Sequence, residues 1–213
     1  MEVTANEVVY QINLLDGQKT GLYLDQLEAH AQLAKRCKGK RVLDCFSNQG
    51  GFGLTAAKAG AASVTCVDIS ETAIAATIEN AKRNGIDDVI KAEAHNAFHY
   101  LKNMEEEFDI IVLDPPSFTK NKKTLKDALR GYKEIHLRAL KHLGKGGILS
   151  TYCCSHHATR EIFMNNLIEA SVDAKKTVRL IENHSQRADH PILPAIPETE
   201  YLKGFTVEVI PSR

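Results

Sequence analysis

The stretch 43-LDCFSNQGGFG-53 decides how the rest of the chain is read. It leaves a short apolar, β-branched run (KRVLDCF, 40–46) and enters a helical pattern at 52–59, with glycines at 50, 51 and 53 in between. Glycines at that junction let backbone approach a ligand closely, and the helix start beyond presents N–H groups suited to an anion. The spacing is not that of the dinucleotide fingerprint GxGxxG.

Working outward, the same alternation repeats. Apolar runs at 62–69, 88–94, 108–114, 146–154, 177–183 and 204–210 follow the first one. Helical patterns at 25–37, 52–59, 71–84, 96–103, 123–143 and 157–174 lie around and between them. Strands alternating with helices imply crossover connections and a largely parallel sheet covered on both faces. No helical pattern separates the last two runs, so that pair should be antiparallel. Upstream, VVYQINLLDGQKTGLY (8–23) has alternating apolar positions around Asp16-Gly17, which reads as a β-hairpin. The expected class is α/β: a seven-stranded, mostly parallel, Rossmann-like sheet with an antiparallel last strand and an N-terminal hairpin. Residues 1–24 would be the hairpin extension and 25–213 the main domain.

A parallel sheet binds ligands beyond the carboxyl ends of its strands. Four polar features fall at such ends. Asp68 closes the second run, placed to accept hydrogen bonds from a ribose diol. Asn96 follows the third, where its amide suits either an adenine edge or the cap of the next helix. Asp114 closes the fourth and is stiffened by Pro115-Pro116, a combination able to hold a planar base by its amino group. The fifth run ends in 150-STYCCSHHA-158. Successive strand residues face opposite ways, so Cys153 and Cys154 neither share a ligand easily nor form an unstrained disulfide. A zinc site needs further ligands, and the chain offers no second CxxC or HxxxH half. One cysteine therefore faces the core and the other the pocket edge, with the order left open.

Lys plus Arg equals Asp plus Glu at 27 each, so no overall charge directs the chain to nucleic acid. Positive charge does cluster locally: Lys120, Lys122, Lys123, Lys126, Arg130, Lys133, Arg138, Lys141 and Lys145 face only Asp127 and Glu134 between residues 117 and 145. Such a cluster suits phosphate contacts or simply a solvated helix face. No run reaches the roughly 18 apolar residues of a membrane span, and the N-terminus lacks the regions of a signal peptide. A cytoplasmic protein with five reduced cysteines is expected.

Taken together, VLDCFSNQGGFGLTAAKAGA, VDISETAIAATIENAKRNG, DPPSFTKNK, RGYKEIHLRAL, GGILSTYCCS, ADHP and YLKGF run collinearly over residues 8–210. This succession resembles the RlmI/YccW-like branch of class I S-adenosylmethionine-dependent methyltransferases, which form 5-methylcytosine in large-subunit ribosomal RNA. The resemblance implies that Phe46, Ser47 and Gly50 cradle the methionine end of S-adenosylmethionine, that Asp68 holds the ribose, and that Ile69 lies on the adenine. Asn96 stands where the family has an Asp reading the adenine amino group. Asp114, Pro115 and Pro116 match the target-base motif, and Lys122 follows them toward the substrate. Cys154 aligns with the family's nucleophile and Cys153 with the Ser before it.

Further departures are Leu27 after Gly21, Asp25 and Gln26, where the family has Arg, and His136 in place of Asn. The family also carries an N-terminal RNA-binding domain of PUA type, which this sequence does not include. The resemblance further implies a flipped or single-stranded cytosine as substrate and no metal, in a monomer or homodimer. A thiolate nucleophile wants nearby positive charge, for which His156, His157, Lys122 and the cofactor sulfonium are candidates. Alternatives are methylation of a guanine or other base nitrogen without a thiol, or a non-catalytic module that binds S-adenosylmethionine or RNA.

Overall fold

The computed structural model describes residues 1–13, 21–119 and 124–211. Chain contacts divide it into two units, Met1–Tyr100 and Leu101–Arg213. Nine strands are present among the described residues: β1 (Glu2–Ala5), β2 (Val8–Gln11), β3 (Arg41–Cys45), β4 (Ser63–Asp68), β5 (Ile90–Ala94), β6 (Ile110–Leu113), β7 (Ile148–Cys153), β8 (Thr177–Ser185) and β9 (Lys203–Ile210). The six α-helices are α1 (Leu27–Ala34), α2 (Gly51–Lys58), α3 (Glu71–Arg83), α4 (Ala97–Asn103), α5 (Leu125–His142) and α6 (Arg160–Asp173). Seven strands form one mixed sheet in the order β5-β4-β3-β6-β7-β9-β8. This is the α/β class expected from the alternation of runs.

In the first unit β3, β4 and β5 pair in parallel. β3 is buried from Val42 to Cys45 and β4 from Val64 to Val67, the unbroken burial of strands covered on both faces. The hairpin differs from expectation. Its strands are β1 and β2, paired antiparallel, and its turn is Asn6-Glu7, with φ of 49° and 63°. Two left-handed residues make the two-residue hairpin turn whose twist matches the flanking strands. Asn tolerates that conformation, but without a glycine the turn carries little signal in sequence. Asp16-Gly17 lies outside the described residues, and residues 21–23 are not strand.

The alternation in β2 still does its work, because Val8, Tyr10 and Ile12 bury together with Leu22, Leu54 and Ala81. α3 also completes the exposed edge of β2. Asn84 Oδ1 accepts from Val9 N at 2.8 Å while its Nδ2 donates to Val9 O at 2.7 Å, and Asn80 Oδ1 accepts from Gln11 N at 2.8 Å.

In the second unit β6 and β7 are parallel, whereas β9 runs antiparallel to both β7 and β8. Ile181 of β8 has no partner of its own, since Leu180 pairs with Val207 and Glu182 with Thr206: a bulge. α5 and α6 are held by a polar knot in the core. His136 is fully buried, with Nδ1 3.1 Å from Asn166 Oδ1 and Nε2 2.8 Å from Thr151 Oγ1. Burial lowers its pKa to about 4. A neutral histidine thus ties α5 to α6 and β7.

Candidate active site

The loop from β3 to α2 is shaped by backbone that side chains rarely adopt. Phe46 (φ 62°) and Asn48 (φ 47°) are left-handed, and so is Gly50 (φ 79°), which caps α2. A Cβ on Gly50 would sit 2.8 Å from Thr77 Cγ2, so only glycine fits there. Two links fix the loop to β4: Ser47 N donates to Val67 O at 3.1 Å, and Asn48 N donates to Asp68 Oδ2 at 2.9 Å. Asp68 Oδ1 accepts from Ser70 N at 2.9 Å. The carboxylate therefore stands at the end of β4 held in place from both sides, with lone pairs left for hydroxyl donors. Behind the loop, Gly53 N donates to buried Asp44 Oδ2 at 2.8 Å, and a Cβ on Gly53 would come within 2.4 Å of Cys66 Sγ.

Three features here fit an adenosine-type cofactor. Ser47 is buried, yet its Oγ has no hydrogen-bond partner among the described residues. Ile69, next to Asp68, is 72 % exposed, an apolar surface suited to a base. Phe46 packs edge-on against Phe98 with ring centroids 6.0 Å apart, which steadies the loop's first residue. Asn96 is partly buried, and its Oδ1 accepts from Phe98 N at 3.0 Å and His99 N at 3.2 Å. It caps α4, so its oxygen is already engaged.

The upstream segment GLYLDQ places Asp25 and Gln26 in buried positions of a short 3₁₀ turn before α1. Buried His30 of α1 stacks edge-on to Phe52 at 4.2 Å, and desolvation lowers its pKa to about 4 against the opposing pull of Asp25. Leu27 begins α1 where the family's Arg would stand.

The second unit gathers the other residues. Leu113 pairs with Thr151, so Asp114 and the cysteine pair leave adjacent parallel strands at the same end. Asp114 is half-buried, Pro115 buried and Pro116 exposed. Ser117 Oγ donates to Thr119 O at 2.8 Å, tightening the loop after the prolines. Lys122 lies outside the described residues. Of the two cysteines, Cys153 is fully buried and Cys154 half-buried. Burial raises the Cys153 thiol, opposed by the Tyr132 hydroxyl, the Ser155 backbone and Lys203, and reinforced by the Asp114 charge. Tyr132 is itself fully buried against Phe118 and Phe163, with centroids at 4.6 and 5.2 Å, and burial pushes its hydroxyl well up.

The two histidines divide. His156 is exposed, with Nδ1 2.8 Å from Glu198 O, which ties the segment after the cysteines to the loop before β9. His157 is half-buried, and its backbone N donates to Ser155 Oγ at 3.3 Å. A cation beside the Cys153 thiol that sequence reasoning missed is Lys203, whose signal was a lysine opening a mostly apolar strand, KGFTVEVI. The lysine-rich face of α5 is less positive than its residue count implies. Arg130 pairs with Asp127 at 3.2 Å, Lys133 with Asp173 at 3.0 Å, and Arg138 with Glu134 at 2.6 Å.

A glycine loop behind the first sheet strand, an acid ending the second and DPP ending the fourth define a class I-type methyltransferase frame. The chain belongs to the S-adenosylmethionine-dependent methyltransferase family, whose model matches residues 1–202. It is 42 % identical over 211 residues to ribosomal RNA large subunit methyltransferase I of Shewanella denitrificans, covering 97 % of this chain and 53 % of the relative. To the protein of the same name from Aeromonas salmonicida it is 40 % identical, covering 96 % and 53 %. The chain thus spans about half the length of these relatives. Among solved structures, a methyltransferase-class protein complexed with SAH superposes with a TM-score of 0.87 at 26 % identity, covering 98 % of this chain and 56 % of that one. The cofactor of the family is S-adenosylmethionine, and the loop at 46–50 fits it. No helix of the described residues is long and apolar enough to cross a membrane. Among those residues no group of three or more His, Cys, Asp or Glu could hold a metal ion.

Proposed function

We propose that the protein methylates carbon 5 of a cytosine in large-subunit ribosomal RNA, with Cys154 as nucleophile. One observation carries the reading: a half-buried thiol stands just past a fully buried one, on the strand adjacent to Asp114-Pro115-Pro116. In this reading Phe46, Ser47, Gly50, Asp68, Ile69 and Asn96 hold S-adenosylmethionine, which when bound supplies an electrophilic methyl group.

The remaining work falls to the chain itself. Carbon 5 of cytosine is too weak a nucleophile to take the methyl unaided. The Cys154 thiolate adds to carbon 6, forming a C–S bond and making carbon 5 an enamine carbon. Asp114 hydrogen-bonds the base at N3 and N4 and steadies the adduct. After methyl transfer, a base removes the carbon 5 proton, the ring double bond re-forms and the thiolate leaves. Cytosine reaches such a pocket only unstacked or single-stranded, with Pro115 and Pro116 fixing the wall against which it lies.

The relatives' names support ribosomal RNA as substrate. Incubation with cofactor and 5-fluorocytidine-containing ribosomal RNA should trap a covalent adduct, because fluorine cannot leave as the proton does. Cys154→Ala should abolish the trap and Cys153→Ala should retain it. A trap lost only in Cys153→Ala moves the nucleophile by one residue. Methyl transfer retained in both variants replaces the thiol mechanism with direct methylation of a ring or exocyclic nitrogen.

A further inference from the structure

The chain between β8 and β9 carries apolar side chains where water reaches them. Among the described residues ten large hydrophobic side chains are exposed, and three of them fall within five positions: Ile192 at 42 %, Leu193 at 47 % and Ile196 at 48 %. They belong to the uncharged run 191-PILPAIP-197, every residue of which is exposed. A lone exposed apolar residue needs no explanation, but a cluster of them marks a contact surface.

The run is held rigid. Leu193 to Ile196 form a tight turn with Pro194 at its second position, and Ile196 N donates to Leu193 O at 2.8 Å. Thr199 closes the open side: its Oγ1 accepts from Leu193 N at 2.8 Å and donates to Ile196 O at 2.7 Å. Pro191, Pro194 and Pro197 restrict the backbone further. A turn fixed in advance loses little entropy when it binds.

Its base is built onto the segment that follows the thiols. His156, two residues past Cys154, has Nδ1 2.8 Å from Glu198 O. Lys203 Nζ donates to Ser155 O at 2.6 Å and to Glu200 O at 3.4 Å. Arg160, at the head of α6, donates to Glu200 Oε1 at 3.1 Å. The apolar turn is therefore fastened to the wall that carries Cys154.

Size and charge select what the turn fits. A protein partner draws on roughly 20–30 residues a side, several times what this tip offers. Phosphate groups call for positive charge, which 191–197 lacks. The faces of stacked bases are apolar, and a cytosine that leaves its stack opens a gap between two of them. Proteins that distort nucleic acids fill such gaps with Leu, Ile, Met, Phe or Pro side chains.

We propose that the turn 191–197 is a wedge that enters the RNA beside the flipped cytosine, with Ile192, Leu193 and Ile196 taking the place of the departed base. The proposal rests on the cytosine reading above and adds the element that holds the stack open.

The test uses the folded chain and two synthetic RNA duplexes, one fully paired and one with a single abasic nucleotide at its middle. In fluorescence anisotropy, wild type should bind the abasic duplex about tenfold more tightly, because its gap is open without the cost of unstacking. Ile192→Ser, Leu193→Ser and Ile196→Ser combined should bind both duplexes alike. Ile192→Leu, Leu193→Met and Ile196→Leu combined should keep the preference, since only apolar bulk is required. On protein-free large-subunit ribosomal RNA from cells lacking the gene, the serine variant should transfer methyl groups about tenfold more slowly, with S-adenosylmethionine affinity unchanged in calorimetry.

The proposal is overturned if wild type shows no preference for the gap, whether it binds both duplexes or neither, or if the serine variant keeps that preference. It is overturned equally if wild type self-associates in sedimentation and the serine variant does not, since the turn is then an interface between copies. Should the triple serine variant fail to fold, Leu193→Ser alone makes the comparison. A preference for the gap without methyl transfer by wild type would reject the cytosine reaction while leaving the wedge standing.

Discussion

At the scale of single residues, Asn96 has one carbonyl oxygen and two uses for it. That oxygen accepts from Phe98 N and His99 N as the cap of α4, leaving the NH₂ as its free polar group. An amide so placed is a poor acceptor for the amino group of adenine. A carboxylate caps helices equally well and keeps a second oxygen for the base. Asn96→Asp is therefore expected to tighten S-adenosylmethionine binding several-fold, on the order of 1 kcal/mol in calorimetry. Unchanged affinity would remove Asn96 from the adenine site.

The glycine loop, Asp68 and the DPP motif were legible because they are local: each sits in one short segment at a strand end. Lys203 was not, because its meaning depends on Cys153, Ser155 and Glu200, and only pairing of β7 with β9 brings these together. Cys154 stands out in the sequence, but alternation along a strand does not say which of two adjacent cysteines is exposed. Burial of Cys153 and half-burial of Cys154 supply that.

Among the elements, the N-terminal hairpin shows how a strand edge is closed by side chains. Asn84 makes both a donated and an accepted bond to Val9, doing for β2 what a neighbouring strand would do. Asn84→Ala leaves a part-buried N–H and C=O without partners, which should cost about 2 kcal/mol. Denaturant melts check this, with Lys82→Ala on the same helix as a solvent-exposed control expected to stay within about 0.5 kcal/mol. The strands of the seven-stranded sheet were foreseeable to within a few residues from their apolar runs, as were the helices between them, whereas β1 was not. Nor was the hairpin turn. Asn6-Glu7 looks like ordinary polar sequence, whereas Asp16-Gly17 has the stronger turn chemistry.

Over the whole molecule, acid stability should be set by two neutral histidines, one in each unit. Desolvation holds His30 and His136 near pKa 4 in the folded chain, against 6.5 when unfolded. The unfolded chain therefore binds protons first as pH falls. Stability is complete above about pH 6.5 and declines between 6.5 and 4, by up to roughly 3 kcal/mol for each histidine. Urea midpoints across that window should fall steeply in wild type and less in His136→Asn, which removes the titrating ring. An equal slope in both would show that His136 already carries a proton when folded.

The bulge at Ile181 bears on how this protein behaves when crowded. β8 is an outermost strand nine residues long, and an outermost strand exposes a row of amides and carbonyls to which any other extended chain can add. One unpaired residue in its middle breaks that row's rhythm, and the Arg179–Glu208 ion pair places charge beside it. A stray strand could match one half of β8 or the other, not both. Such an irregularity makes the edge a poorer template for amyloid-type stacking.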